Sequence, residues 1–196
     1  MALILATDDE GGPEIFASVQ GEGPSMGMPV AFMRLSRCNL ACVWCDTAYT
    51  WHFQGDERPH RGGVEYDRKA NQLSLPEDEV AARITALGQS RLVITGGEPL
   101  LQLDLPLIDA LHAQGFEIAV ETNGTIKAPA GIDWICVSPK ADAPLQQLCG
   151  DELKLVYPQA KALPERFETL EFRHFYLQPM DGVAAAENTP PATSYC

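Results

Sequence analysis

Three of the chain's six cysteines lie within eight residues, at Cys38, Cys42 and Cys45. This Cys-x3-Cys-x2-Cys loop directly follows an apolar run over residues 30–35, which predicts a β-strand. Three thiols on a short loop at the end of a strand meet at one soft metal centre more readily than they pair with one another. An odd number also leaves one thiol over if two form a disulfide. The loop therefore predicts a metal centre around which the fold is arranged.

Three kinds of site are compatible with this loop. A structural zinc ion requires four closed ligands, and the nearest fourth candidate is His52. A redox disulfide, or thiols that are simply buried, is the second possibility. The third is a 4Fe–4S cluster held by three cysteines, which leaves one iron without a protein ligand. Elsewhere Cys136, Cys149 and Cys196 are isolated, and we interpret them as incidental thiols.

Length and charge narrow the class of protein. A chain of 196 residues is long enough to bury a core as one domain without disulfide staples. Its 14 basic and 27 acidic residues give a net charge of −13, which argues against nucleic-acid binding. It has no apolar run long enough for a transmembrane helix, and its amino terminus lacks the basic region of a signal peptide. Because the clustered thiols must stay reduced, we expect a cytoplasmic protein without membrane partners.

Apolar runs at six places are each followed by a polar cluster, which predicts buried parallel strands. Helices are predicted through Val80, Ile84 and Leu87 and around residues 105–114. Strands alternating with helices indicate an α/β fold, a partial (β/α)6 TIM-like barrel with its site at the carboxyl ends of the strands. Five residues would then meet on one rim: Cys38, Thr95, Glu121, Ser138 and Gln178. The apolar runs cover residues 30–35, 91–94, 116–120, 134–137, 153–156 and 172–177.

We expect one domain over residues 1–196. Residues 1–28 are interpreted as an amino-terminal extension that carries a glycine-rich loop, Gln20-Gly21-Glu22-Gly23-Pro24, whose bare backbone amides can approach a ligand. Residues 48–73 are polar in large part and lack a clear period, so they are predicted to form a surface insertion.

The cysteine loop, with Trp44 before its last cysteine, resembles the signature of the radical S-adenosylmethionine (SAM) superfamily. The chain as a whole, from about Ile15 to its end, resembles the 7-carboxy-7-deazaguanine synthase family within it. The motifs that carry this resemblance are Ser18–Gly23, Arg34, Cys45-Asp46-Thr47, Thr95–Leu100, Glu121–Gly124, Val137–Lys140 and Gln178-Pro179-Met180.

This resemblance implies a barrel of the radical SAM type and a defined reaction. 6-Carboxy-5,6,7,8-tetrahydropterin would become 7-carboxy-7-deazaguanine, on the route to queuosine and other 7-deazapurines. A 5′-deoxyadenosyl radical would abstract hydrogen from C6, the ring would contract with loss of ammonia, and SAM would be regenerated. The implied cofactors are a 4Fe–4S cluster, SAM and Mg²⁺. The implied partners are the pterin, a reducing protein such as a flavodoxin or ferredoxin, and a second copy in a homodimer.

The resemblance also implies site residues, although it assigns no acid or base. The cluster would be held by Cys38, Cys42 and Cys45, and Mg²⁺ by Thr47. The pterin would contact Val19, Gln20, Gly21, Arg34 and Thr95, of which Arg34 suits the substrate carboxylate because a guanidinium matches it bidentately. SAM would contact Trp44, Cys45, Asp46, Gly97, Ser138, Pro139, Lys140, Gln178, Pro179, Met180 and Asp181.

The carboxyl terminus departs from the family's pattern. Family members usually continue through another helix and a last strand, whereas this chain stops at Cys196 after a helix start at Asn188. We therefore expect a truncated chain whose substrate affinity suffers more than its cluster binding. Two other functions remain open: a radical SAM activase that generates a glycyl radical in a partner protein, and an inactive zinc or iron–sulfur binding homologue.

Overall fold

The computed structural model describes residues 2–60 and 63–180, which form one nine-stranded sheet. Its order is β4-β1-β3-β5-β6-β7-β8-β9, and β2 pairs with β3. The strands are β1 (Ala2–Ala6), β2 (Ile15–Val19), β3 (Pro29–Leu35), β4 (Gln72–Pro76), β5 (Arg91–Gly96), β6 (Glu117–Thr122), β7 (Trp134–Val137), β8 (Cys149–Tyr157) and β9 (Glu171–Pro179). The α-helices are α1 (Arg68–Asn71), α2 (Glu77–Ala86) and α3 (Leu105–Ala113), with single 3₁₀ turns at Gly23–Ser25, Ala48–Thr50, Pro99–Leu101 and Pro164–Arg166.

Six neighbouring strands, β3 and β5 to β9, run parallel to one another. They coincide with the six apolar runs of the sequence, so the predicted α/β fold class is confirmed, and the arrangement is consistent with a partial barrel. Strands β1, β2 and β4 are antiparallel additions beside β3. The carboxyl ends of the six parallel strands therefore lie at one edge, where the polar clusters were expected to meet.

Both predicted helices are present. Helix α2 begins after Pro76, and its first turn holds Glu77, Asp78 and Glu79, whose negative charges favour the amino end of a helix. Helix α3 begins at a capping aspartate, Asp104, whose side chain accepts a hydrogen bond of 3.0 Å from the backbone N–H of Leu107.

The expected alternation of strands with helices holds only in the first half of the barrel. Among the described residues, the connections after β6 and β7 contain no helix, and the connection after β8 contains only the turn at Pro164–Arg166. Prolines recur in these connections, for example Pro129, Pro144 and Pro158. Because proline lacks a backbone N–H and clashes with the preceding turn, these segments are poor helix formers.

The two halves of the barrel consequently have different cores. In the first half α2 and α3 cover the sheet, and Ile84 and Ile108 from these helices are fully buried in one cluster with Ile94 of β5. In the second half the irregular connection after β8 covers the sheet instead, with Phe167 packed in one cluster with Leu153.

A small apolar group lies inside the lumen, towards the amino ends of the strands. Val30, Val93 and Ala119 are buried there, with Phe32 and Trp134 packed against them. We call these five residues the lumen plug.

The segments expected outside the barrel also contribute to the sheet. Strand β1 pairs with β4 along five residues, from Ala2 opposite Pro76 to Ala6 opposite Gln72, and neither strand was predicted. Within residues 48–73, three aromatic side chains are buried: Trp51, His52 and Phe53. Asp181 and the predicted helix start at Asn188 lie outside the described residues. Within residues 2–60 and 63–180, no helix has both the length and the apolar content needed to cross a membrane.

Candidate active site

A layer of polar side chains crosses the lumen above the plug. Arg34 is in register with Thr95, and Cys136 is in register with both Glu121 and Glu152. Residues in register on neighbouring parallel strands point to the same face of a sheet. We call these five residues the lumen layer. All of them except Glu152 line a cavity of about 560 Å³ at the carboxyl ends of the strands.

The cysteine loop is held against the turn at Gly96 and Gly97. The N–H of Gly97 donates to the carbonyl of Leu35 and the N–H of Glu98 to that of Arg37, each at 2.9 Å. A Cβ atom at Gly96 would overlap the Leu35 carbonyl, and one at Gly97 would overlap the Arg37 carbonyl. This close approach requires both glycines.

Behind this turn, the carboxylate of Glu98 is fully buried and satisfied. It accepts hydrogen bonds from the Thr122 hydroxyl at 2.8 Å, the Asn123 N–H at 2.8 Å and the Leu100 N–H at 3.0 Å. Burial raises the pKa of Glu98, although these hydrogen bonds oppose the rise. The side-chain amide of Asn123 in turn donates to Asn39 at 3.1 Å, so Glu98 links the glycine turn, the end of β6 and the cysteine loop.

The three thiols of the loop, Cys38, Cys42 and Cys45, are free, half-buried and open to the cavity. Burial raises the pKa of Cys38 to about 11 and the pKa of Cys42 above its ordinary value. No three histidine, cysteine, aspartate or glutamate side chains in the described part of the chain lie close enough together to hold one metal ion. Three thiols that line an open cavity would hold a 4Fe–4S cluster and leave one of its irons without a protein ligand.

Next to the thiols, Lys140 closes one side of the cavity. Its ammonium donates to the Ser138 hydroxyl at 2.7 Å and lies 5.5 Å from the centre of the Trp44 ring, within the range of a cation–π contact. Burial lowers the pKa of Lys140, while the nearby Cys42 opposes this effect. Further predicted SAM contacts line the same cavity: Cys45, Asp46, Gly97, Gln178, Pro179 and Met180.

Elsewhere in the cavity, the carboxylate of Glu121 connects two predicted substrate residues. It accepts a hydrogen bond from the side-chain amide of Gln20 at 3.3 Å and another from the hydroxyl of Thr95 at 3.1 Å. Gly21 also lines the cavity here.

Arg34 is oriented by an acid from outside the lumen layer. Its Nε donates to Glu14 at 2.7 Å, and the Tyr49 hydroxyl donates to the same carboxylate at 3.0 Å. Burial alone would lower the pKa of Arg34, but Glu14 raises it, so the guanidinium stays charged. Within the described residues its terminal amino groups form no hydrogen bond, and the side chain lines the cavity.

Thr47, the predicted magnesium ligand, lies beside the cluster loop. Its hydroxyl is 3.6 Å from the sulfur of Cys45, and it lines the cavity. Its carbonyl accepts two hydrogen bonds from Thr50, which fixes the turn.

Sixteen of the predicted site residues thus line one cavity: Gln20, Gly21, Arg34, Cys38, Cys42, Trp44, Cys45, Asp46, Thr47, Thr95, Gly97, Ser138, Lys140, Gln178, Pro179 and Met180. Three do not. Val19 is 57% exposed on β2, Pro139 is buried outside the lining, and Asp181 lies outside the described residues.

Four other residues that received no individual role from the sequence also line the cavity: Glu22, Asn123, Cys136 and Lys154. Glu22 and Asn123 lie within motifs that carry the resemblance, whereas Cys136 was interpreted as an incidental thiol and Lys154 was not singled out. The signal for Lys154 was a charged residue inside an apolar run, Leu153-Lys154-Leu155-Val156. Because side chains alternate along a strand, this lysine had to point away from the core that buries its neighbours.

Similarities with known proteins agree with this geometry. A profile of the Radical SAM superfamily matches residues 34–153. A 7-carboxy-7-deazaguanine synthase from Caulobacter vibrioides is 50% identical, over 93% of this chain and 88% of that protein. One from Bradyrhizobium diazoefficiens is 51% identical with the same coverage. The crystal structure of QueE from Escherichia coli superposes with a TM-score of 0.69 at 27% identity, covering 95% of this chain and 87% of that one.

Proposed function

Since the chain belongs to the 7-carboxy-7-deazaguanine synthases of the radical SAM superfamily, we propose that it converts 6-carboxy-5,6,7,8-tetrahydropterin to 7-carboxy-7-deazaguanine with loss of ammonia. The observation that carries this proposal is the single cavity that collects three thiols, the glycine turn, Arg34 and the Gln20-Gly21 stretch. The same residues carried the resemblance in the sequence.

The cofactors are a 4Fe–4S cluster and SAM. Cys38, Cys42 and Cys45 are the residues that would hold the cluster, and the lining beside Trp44 and Lys140 would hold SAM. When bound, the cluster supplies the electron that cleaves SAM to a 5′-deoxyadenosyl radical. The protein's own contribution is to bind and orient SAM and the substrate and to shield the reaction from solvent.

Arg34 binds the carboxylate of the pterin in this proposal. Because Glu14 occupies its Nε, Arg34 presents its two terminal amino groups, which match the two oxygens of a carboxylate. Glu14 also keeps the guanidinium in place before the substrate arrives, so less side-chain freedom is lost on binding.

Glu121 binds the amino edge of the pterin ring. A carboxylate with two oxygens can accept from both an exocyclic amino group and the adjacent ring N–H. Gln20 and Thr95 hold the two oxygens of Glu121 before binding, and both residues are predicted substrate contacts themselves.

The barrel also shields the reaction from water. The buried side chains of the lumen plug lie below the lumen layer and leave only a chamber of about 20 Å³ there, so little water can reach the substrate from that side. A dry site keeps a radical away from solvent hydrogen donors and strengthens the charged contacts to the substrate.

Four finer features belong to the same proposal. Thr47 contributes a hard oxygen ligand to Mg²⁺, shared with the substrate. A flavodoxin or ferredoxin reduces the cluster, the enzyme acts as a homodimer, and it works in the cytoplasm, where its thiols stay reduced.

The alternative, activation of a glycyl-radical partner protein, is less well supported. The named relatives match over 93% of the chain as 7-carboxy-7-deazaguanine synthases, and Arg34 on the lumen side suits a small carboxylated substrate.

The test is anaerobic reconstitution with iron and sulfide, followed by SAM, Mg²⁺, a reductant and the tetrahydropterin. Mass spectrometry should detect 7-carboxy-7-deazaguanine. Cys38→Ala should abolish iron binding and product, while Cys149→Ala, at an exposed cysteine outside the loop, should retain both. SAM cleavage that is not stimulated by the pterin, with no product, would contradict the proposal.

A further inference from the structure

Lys154 is a cation of the substrate cavity that neither the sequence motifs nor the resemblance assigned. It lies on β8, its side chain is 12% exposed, and its ammonium forms an ion pair with the carboxylate of Glu22. It lines the large cavity and also a chamber of about 20 Å³ below it, large enough for about one water molecule.

The charge of Lys154 is secured by its neighbours. Burial alone would lower its pKa, but Glu121, Cys136 and Glu22 raise it above the ordinary value of a lysine. Lys154 is therefore an ammonium throughout the physiological range. It lies beside the same Glu121 whose oxygens are held by Gln20 and Thr95.

One role of this lysine is structural, because its contact with Glu22 ties the glycine-rich loop to β8. That contact uses one of the three donors of an ammonium group. The remaining donors belong to a side chain that lines the cavity, next to the carboxylate expected to bind the ring's amino edge. If Lys154 served only to hold the glycine-rich loop through Glu22, its side chain would not need to line the cavity.

We propose that Lys154 donates a hydrogen bond to the ring carbonyl oxygen of the substrate, beside the N–H groups that Glu121 accepts. This inference rests on the proposed function, because it assigns the partner of one atom of the pterin. A pyrimidinone edge presents an acceptor next to two donors, and Lys154 with Glu121 presents the complementary donor and acceptors. The pair would select a 4-oxo pteridine against a 4-amino pteridine, whose amino group would point a donor at the ammonium.

The experiment measures discrimination between two stable probes, 6-carboxypterin and 2,4-diaminopteridine-6-carboxylate. Dissociation constants are measured at pH 6.5 on the reconstituted, SAM-loaded enzyme under anaerobic conditions. Wild type should bind the 4-oxo probe about ten- to a hundredfold more tightly than the 4-amino probe, as expected for a charge-assisted hydrogen bond. In Lys154→Met this ratio should fall by about tenfold, with affinity for SAM unchanged. The preference that remains belongs to Glu121, because the 4-amino probe lacks the ring N–H that this carboxylate accepts.

Glu22→Gln separates the two roles, since it removes the ion pair and leaves the ammonium in the cavity. It should keep the preference for the 4-oxo probe. Lys161→Met, at an exposed lysine paired with Asp142, is the folding control and should match wild type for both probes. If the methionine variant does not fold, Lys154→Gln serves in its place.

Two outcomes would overturn the inference while leaving the proposed function intact. One is an unchanged ratio in Lys154→Met. The other is an equal loss of discrimination in Lys154→Met and Glu22→Gln, which would make Lys154 a loop anchor only. Failure of wild type to bind either probe or to turn over the tetrahydropterin would instead remove the proposed function, and this inference with it.

Discussion

The hydroxyl of Thr122 donates a hydrogen bond of 2.8 Å to the carboxylate of Glu98, and no part of Glu98 is exposed to solvent. The glycine turn after β5 is thereby joined to the end of β6. Because two backbone N–H groups also donate to Glu98, its carboxylate is the shared acceptor of a buried network beneath the cofactor side of the cavity. A polar group of this kind is costly to remove, since its donors cannot reach water.

We expect Glu98→Ala to lower the free energy of unfolding by about 3 kcal/mol or more, because three buried donors lose their acceptor. Urea denaturation of the apoprotein measures this. Glu79→Ala is the matched control. Glu79 forms an exposed ion pair with Arg83 and adds a negative charge to the first turn of α2, so its loss should cost no more than about 1 kcal/mol. Equal losses in both variants would show that the Glu98 network does not stabilise the fold.

Gly97→Ala should destabilise the protein and weaken SAM binding, since the new Cβ would overlap the carbonyl of Arg37 and push the cysteine loop away. Thermal unfolding and the affinity for SAM report the two effects. Gly21→Ala provides the comparison for stability, because a Cβ there meets no atom within 4 Å. Its melting temperature should stay close to that of wild type, and a similarly small change in Gly97→Ala would contradict the close approach.

Arg34→Met should weaken binding of 6-carboxypterin by about ten- to a hundredfold, because a charge-assisted contact to the carboxylate is lost. Glu14→Gln should have a smaller effect in the same direction, as the guanidinium keeps its charge but loses its orienting partner. Affinity for SAM should be unaffected in both. Arg83→Met, at an exposed arginine, is the control. The role of Arg34 would be wrong if pterin and SAM affinities fell together.

The pH dependence of stability tests the ion pair of Lys154. Its pKa is raised in the folded state, so its stabilising contribution is complete below the ordinary pKa of lysine and is lost only as the pH rises through the raised value. The difference in unfolding free energy between wild type and Lys154→Met should therefore stay constant between pH 6 and pH 9. Urea denaturation at three pH values measures it, and a difference that shrinks by pH 9 would contradict the raised pKa.

Much of the barrel could be predicted from the sequence because each parallel strand is a short apolar run that ends in a polar cluster. Strand β7 was predicted with its observed bounds, Trp134–Val137. Strands β1 and β4 were not predicted, because they pair with each other across about 70 residues and neither is marked by a turn signal. Propensity and periodicity describe neighbours along the chain, whereas strand pairing over such distances depends on tertiary packing.

The sequence predicted which motifs lie at the carboxyl ends of the strands, but it did not predict which of their side chains form hydrogen bonds with one another. Arg34 donates to Glu14, which lies 20 positions earlier in the chain. Gln20 donates to Glu121, which lies 101 positions later. No local rule connects such residues, since register across several strands decides which side chains meet. Lys154 was recoverable in principle from strand alternation, but its neighbours made the run look uniformly apolar.

Because helices cover only one half of the barrel, its two sides differ in how easily their strands open. Helices α2 and α3 shield β3, β5 and β6, while β8 is shielded by an irregular connection and β9 ends the order of described strands. Amide hydrogens of β8 and β9 should therefore exchange with deuterium sooner than those of β5 and β6. Because β3 leads into the cysteines, the residues that would hold the cluster lie on the more rigid side of the barrel, together with Arg34, Thr95 and Glu121. Lys154 lies on the more mobile side, so its proposed contact is the one that can open most easily when substrate enters or product leaves.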